Sequence, residues 1–185
     1  MPLHWKLVID CADPNRQAAF WAAALDYTLE EHGALITRLL DAGAVTPDAV
    51  TEVDGHPAWR TLAAVRHPED PYDPATGTGL GRRLLFQAVP EPKPDKNRLH
   101  LDVHPGPGER ESTVARLRTL GATLLRDVKE PGGAWTIMAD PEGQRVLRPL
   151  TGGRKTTAAP RSEEECGAAV VAGPRSQSRP RAGIR

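Results

Sequence analysis

The segment Lys6-Leu-Val-Ile-Asp-Cys11 returns in the second half of the chain as Arg98-Leu-His-Leu-Asp-Val103, matching in character at every position: cation, Leu, variable, aliphatic, Asp, small apolar. Each copy leads into a helical pattern. Ala12-Asp13-Pro14 supplies an N-cap with proline at the first helical position. Ala18, Trp21, Ala22 and Leu25 then share one face, and the helix ends near Asp26-Tyr27. In the second copy the helix spans Glu109 to Leu120, with Val114, Leu117 and Leu120 inward and Gly121 suited to its C-terminal cap. The halves also continue alike, because Leu62-Ala-Ala-Val-Arg-His-Pro-Glu69 and Thr136-Ile-Met-Ala-Asp-Pro-Glu142 both read as a strand running into a Pro-Glu turn. A chain that performs strand, helix, strands twice is restricted to a duplicated α+β domain.

Between the repeated parts, Gly33 to Val45 carries Ile36, Leu39 and Leu40 at helical spacing, and Thr46-Pro47-Asp48 caps a further short turn of helix, so this region reads as an insertion. Trp59 to Arg66 and Arg83 to Val89 read as strands. The loop between them contains Thr76-Gly-Thr-Gly-Leu-Gly81. Its glycines superficially suit a phosphate cradle, but a strand follows instead of a helix and the Lys-Ser/Thr pair is missing. A plain, flexible, exposed loop is expected. The alternating prolines of Val89-Pro-Glu-Pro-Lys-Pro-Asp95 hold an extended linker between the halves, with Glu91 and Lys93 solvated.

Composition narrows the partners. With 39% hydrophobic residues in 185, the chain can build one modest core. Lys plus Arg (24) balance Asp plus Glu (24), so no global field recruits nucleic acid or an anionic membrane. Small molecules or other copies of the chain remain as partners. Two cysteines, Cys11 and Cys166, give no disulfide framework, which suits a reducing cytoplasm. The start, Met-Pro-Leu-His-Trp-Lys, has no signal-peptide pattern and no stretch approaches a membrane span, so a soluble cytoplasmic protein is expected.

Ala19-Phe-Trp-Ala22, Val89-Pro-Glu-Pro-Lys93, Lys96-Asn-Arg-Leu-His-Leu-Asp102 and Met138-Ala-Asp-Pro-Glu-Gly143 together resemble the vicinal oxygen chelate superfamily, in its glyoxalase-like branch of the actinobacterial, high-GC type. The resemblance covers about Leu3 to Gly143. It implies two βαβββ modules curled into a cup-shaped mixed sheet around a small-molecule site, the glyoxalase/bleomycin resistance/dioxygenase fold. The domain would then span 1–150, with modules at about 3–92 and 96–150, and a disordered tail at 151–185. The family also implies a homodimer, and a divalent metal held by His, Glu or Gln from the first and last strands of the modules, polarising vicinal oxygens of a substrate.

Carried onto this chain, the first-strand ligand positions fall on Lys6 and Arg98, which as cations do not coordinate a metal. Two residues further, on the same strand faces, stand Val8 and His100. His100 is therefore one metal candidate, and Gln87, on the last strand of the first module, is the other. His100 alternates with Arg98 and Asp102; the competing reading makes it an interior histidine bonded to a neighbouring carboxylate. Asp10 and Asp102 occupy equivalent positions, either handling protons or pairing with Lys6 and Arg98 as structural salt bridges. Trp135 is expected to wall the cavity, while Trp21 packs a helix against the sheet. Two functions stay open. One is a metal-assisted lyase, isomerase or dioxygenase using His100, Gln87, Asp102 and Asp10. The other is a metal-free binding protein, like the drug-sequestering members, in which Arg98, Lys6, Trp135 and His100 contact an anionic or aromatic ligand.

The end of the domain departs from the family pattern. Similar sequences follow Asp-Pro-Glu-Gly with Asn or Ser and then Glu-Phe-Cys-Val, whose Glu is a metal ligand, whereas Gln144-Arg-Val-Leu-Arg-Pro-Leu-Thr151 stands here and Glu142 reads as a surface residue. The codons CAG CGA GTT CTG CGT CCG CTG ACC would encode this run. Dropping the first C gives AGC GAG TTC TGC GTC CGC TGA, or Ser-Glu-Phe-Cys-Val-Arg-stop. One inserted base near Gly143 or Gln144 would thus make about the last forty residues read-through, in keeping with their aperiodic composition. Val146-Leu147 would still complete a strand in the altered frame. The rival is a selected basic tail carrying Arg175, Arg179, Arg181 and Arg185 toward RNA or a protein. Sequencing the coding DNA decides between them: the expected result is codons that restore the family ending one base out of frame.

Overall fold

The computed structural model describes residues 5–95, 97–131 and 133–148; the expected tail lies outside the described residues. Strand β1 (Leu7–Cys11) feeds helix α1 (Pro14–Leu25). The helix begins where expected, because the Asp13 carboxylate accepts the Arg16 amide at 3.0 Å and Pro14 sits where no amide partner is needed. It stops at Asp26, left-handed at φ 55°, a conformation aspartate tolerates better than most residues. There follow β2 (Thr28–Leu29), α2 (Gly33–Asp41), a turn of 3-10 helix (Pro47–Ala49), β3 (Val50–Val53), β4 (His56–Trp59), β5 (Leu62–Arg66) and β6 (Arg83–Ala88). The second half contributes β7 (Leu101–Asp102), α3 (Arg110–Thr119), β8 (Thr123–Glu130), β9 (Gly133–Ala139) and β10 (Arg145–Arg148).

The duplication read from the sequence is the architecture. The strands form one sheet in the order β1-β6-β5-β2 and another in the order β7-β10-β9-β8, the same topology in each half. In both, the first strand pairs parallel with the last, Leu7 with Leu84 and Leu101 with Val146, and the other neighbours run antiparallel. Even the turns correspond: His67 Nδ1 accepts the Glu69 amide at 3.2 Å, and Asp140 Oδ1 accepts the Glu142 amide at 2.9 Å.

Two expectations need correction. The segment from Trp59 to Arg66 is two strands, because Trp59 ends the β3–β4 hairpin and Arg60 turns aside, donating its Nε to the Asp48 carbonyl at 2.7 Å. The hairpin is built on Asp54 (φ 50°) and Gly55 (φ 80°), the two left-handed residues that a tight strand-to-strand turn requires. Glu142, expected at the surface, is a brace: its carboxylate accepts the amides of Ala12 and Asp13 at 2.8 and 2.9 Å. The divergent ending does form a strand, with Val146 only 2% exposed between Met138 and Leu101.

One core runs through both halves, with Trp21, Phe20, Ala18 and Phe86 of the first meeting Leu117, Met138 and Val146 of the second. Trp21 and Phe20 stack edge to face at 5.4 Å. Beneath them the Asp140 carboxylate, 3% exposed, accepts the Trp21 indole N–H at 3.1 Å and the amides of Glu142 and Gln144 at 2.9 and 2.8 Å. The buried Gln17 side-chain nitrogen donates to it as well, at 3.0 Å. At the far end of α1, Arg116 of α3 donates to the carbonyls of Ala23 and Ala24, the latter at 3.0 Å. Asp140→Ala leaves buried donors from both halves without an acceptor, and each such group costs on the order of 1–3 kcal/mol. The expected loss is about 3 kcal/mol, read as a lower urea midpoint at unchanged m-value.

Candidate functional site

Strands β1 and β7 each begin a half and each stand at the edge of their sheet. Along β1, Leu7, Ile9 and Cys11 turn toward the core while Val8 and Asp10 face away from it. A cavity of about 650 Å³ runs beside this strand. Leu7, Val8, Ile9, Trp21, Leu99 and Leu101 form its apolar wall; Asp10, Glu91, Lys93, His100, Gln144 and Arg145 bring polar groups to it. The proline linker closes one side and is stitched to the turn before β10, with Lys93 Nζ donating to the Gly143 carbonyl at 3.0 Å and the Asn97 amide to Gln144 Oε1. Lys93 is therefore engaged in the structure, not merely solvated.

The residues singled out from the sequence separate. His100 and Asp10 line this cavity; Lys6 and Asp102 line a second one of about 640 Å³, together with Trp5, Tyr27 and Arg82. Leu7 and Leu101 line both, so the His100–Asp102 pair bridges from one cavity to the other, with Nε2 3.4 Å from Oδ1. The carboxylate neighbour expected for His100 is present, but the histidine is not interior, its side chain being 38% exposed. Among the described residues neither Lys6–Asp10 nor Arg98–Asp102 forms an ion pair. Gln87 stands beside Asp10 in the β1–β6 register, Trp135 opposite Val128, and Arg98 is exposed; none of the three lines either cavity.

Cys11 also borders the first cavity, but burial, reinforced by the carboxylates of Glu142, Asp13, Asp10 and Asp140, pushes its thiol up to about 12. It stays protonated near neutrality and is no nucleophile.

Sequence reasoning missed the most strongly organised polar group. Glu30, 7% exposed, follows β2 and accepts Arg83 Nε and Nη2 at 2.7 Å each and the Gly79 amide at 2.8 Å. His32 approaches the same carboxylate at 3.5 Å and holds the Thr76 carbonyl through Nδ1 at 2.6 Å. The glycine-rich loop, expected to be free and exposed, is anchored here. Gly79 is required by close packing, since a Cβ there would lie 2.7 Å from that of Arg66. Burial works against the Glu30 charge, yet the hydrogen bonds from His32, Arg83 and Gly79 prevail and hold it at about 2. The hydrogen bond to Glu30 raises His32.

The model of the glyoxalase-like domain family matches residues 6–147. The chain belongs to the glyoxalase-like domain family. Among solved structures, the glyoxalase-like domain superposes on fosfomycin resistance protein FosX from Mesorhizobium loti with a TM-score of 0.50 at 7% identity, covering 80% of this chain and 91% of that one. A glyoxalase/bleomycin resistance protein/dioxygenase family enzyme from Burkholderia phytofirmans gives 0.47 at 13% identity over 78% and 97%. FosX from Listeria monocytogenes, crystallised with Mn(II) and sulfate, gives 0.46 at 8% identity over 81% and 93%. No curated protein matches the chain.

Whether this glyoxalase-like domain could hold a divalent ion is a question of donors. Among the described residues no group of three or more His, Cys, Asp and Glu side chains is placed to hold one. His100 lines the first cavity without Gln87, and Arg145 stands at that cavity in the segment where the resemblance implies a carboxylate. The described residues at the cavity do not fit the metal.

The buried network carries a pH signature. Glu30 is lowered from 4.5, so its contribution is present above 4.5 and is lost as pH falls toward 2. His32 is raised from 6.5, so its contribution is complete below 6.5 and is lost as pH rises through the raised value. Glu30→Gln, which strands Arg83, should cost about 3 kcal/mol at pH 6 and flatten both limbs, as measured by urea unfolding across pH.

Proposed function

We propose that this glyoxalase-like domain binds a small organic molecule in the cavity beside β1, without a metal ion. The supporting observation is the lining: an apolar wall of Leu7, Val8, Ile9, Leu99 and Leu101 faced by Lys93, His100, Asp10, Glu91 and Arg145, the last in the segment where the family pattern has a carboxylate ligand. A volume of about 650 Å³ suits one small ligand. The wall takes up an apolar body, and Arg145 offers a planar, charge-assisted fork for a carboxylate or phosphonate end. Asp102, behind His100, favours the imidazole orientation that presents its other nitrogen to the ligand.

That same pair is the observation favouring a second reading, in which the protein is an enzyme. A histidine backed by a carboxylate is a serviceable general base. In that reading His100 takes a proton from the bound molecule and Asp102 stabilises the imidazolium.

Metal analysis of purified protein joined to thermal-shift measurements tests the metal-free binding reading. The expected outcome is well under one metal per chain, and stabilisation by small aromatic carboxylates or phosphonates that a chelator leaves unchanged and Arg145→Ala reduces. At a hundredfold excess over Kd the stabilisation amounts to about 2.7 kcal/mol. Stoichiometric metal that disappears in His100→Ala overturns the proposal.

A further inference from the structure

We propose that the second cavity is a separate site for a free amino acid with a large apolar side chain, bound as its zwitterion between Lys6 and Asp102. The two cavities lie along one seam. Asp10 and Leu99 line the first, Lys6 and Val103 the second, and Leu7 and Leu101 both, so β1 and the segment of β7 run past each other in opposite directions. Lys6 and Asp102 therefore reach the second cavity from opposite sides of the seam.

Charge decides the class of ligand. Five charged residues line this cavity, Lys6, Asp70, Arg82, Arg83 and Asp102, and three of them are committed within the chain. Asp70 accepts Arg82 Nη2 at 2.7 Å and the Arg82 amide at 2.5 Å, while Arg83 gives both Nε and Nη2 to Glu30. Lys6 has no hydrogen-bond or ion-pair partner among the described residues, and Asp102 has only His100, which lines the other cavity. One cation and one carboxylate are thus left over, and they do not pair with each other. A monoanion drawn to Lys6 meets Asp102, and a monocation drawn to Asp102 meets Lys6; a ligand carrying both charges answers both.

The rest of the lining takes the side chain. Leu7, Leu25, Tyr27, Leu84, Leu101 and Val103 give an apolar surface, and about 640 Å³ suits one small ligand. Trp5 borders the cavity with its side chain in solvent, 87% exposed, so its aromatic face is open to a bound apolar group. In an α-amino acid both charged groups branch from one carbon, so they meet Lys6 and Asp102 together while the side chain lies on the hydrocarbon. The flexible four-carbon stem of Lys6 adjusts the spacing between the two contacts.

Isothermal titration calorimetry with L-phenylalanine tests this on the full chain carrying Arg145→Ala, which removes the anion contact of the first cavity and so reads the second alone. The Arg145 side chain makes no hydrogen bond or ion pair among the described residues, so the fold tolerates its loss. The controls are 3-phenylpropionate, which lacks the ammonium, and 2-phenylethylamine, which lacks the carboxylate. The expected result is saturable binding of L-phenylalanine, with both controls at least about tenfold weaker, since each leaves one charge of the cavity unanswered. Adding Lys6→Gln should bring L-phenylalanine down to the affinity of the amine, and adding Asp102→Asn down to that of the acid. Absence of saturable binding up to about 10 mM overturns the proposal, as does a control that binds as tightly as L-phenylalanine. So does an affinity that either added substitution leaves unchanged.

Discussion

The Glu142 carboxylate reaches from the last turn of the second half to the amides of Ala12 and Asp13 at the start of α1, and the first half is seated through that contact. Arg116 holds the other end of the same helix by the carbonyls of Ala23 and Ala24. An anion at the helix N-terminus and a cation at its C-terminus both oppose the partial charges of the macrodipole, so the second half satisfies α1 electrostatically at each end. Between these contacts Trp21 and Gln17 bring their polar atoms to Asp140. A helix that belongs to the first half by chain order thus takes these polar contacts from the second.

That arrangement decides where the cavity lies. Strand β1 leads straight into α1, so clamping the helix start also fixes the β1 edge against the turn carrying Glu142, Gln144 and Arg145. The cavity wall and the contact between the halves are built from the same turn. Burial raises Asp140, with hydrogen bonds from Gln144, Trp21, Glu142 and Gln17 pulling the other way. Burial, reinforced by the same concentration of carboxylates, keeps the neighbouring Cys11 thiol protonated. In the proposed reading, ligand contact here falls to His100, Lys93 and Arg145, with Asp10 and Glu91 beside them.

Most of the fold was legible because its signals are local. The repeated strand segments, the Asp13-Pro14 helix start and the Gly121 cap can each be read within a few residues, and they placed α1, α3 and the paired strands correctly. What escaped depends on partners distant in the chain. Nothing near Glu30 announces that Arg83 and Gly79 will close on it, and a glycine-rich loop reads as slack until Arg66 is seen to leave no room for a side chain. Glu142 shows the limit most clearly: the turn was recognised, but its acceptors' donors lie more than a hundred residues away. The hairpin at Asp54-Gly55 is a different case, since that dipeptide is a turn signal in its own right and was passed over. For the site, the alternation of His100 with Asp102 was legible; its division between two cavities was not, because β7 is only two residues long and both of its ends are used.

The second sheet ends in two unlike edges. At one, β7 and the residues before it open onto the cavity; at the other, β8 presents alternating charge with no strand beyond it among the described residues. The strands β10 and β9 lie between them, and their buried side chains, Val146, Met138 and Ile137, belong to the rigid part of the domain. Of these two edges the cavity uses only that of β7, because the parallel β7–β10 and antiparallel β10–β9 pairings hold β8 away from it.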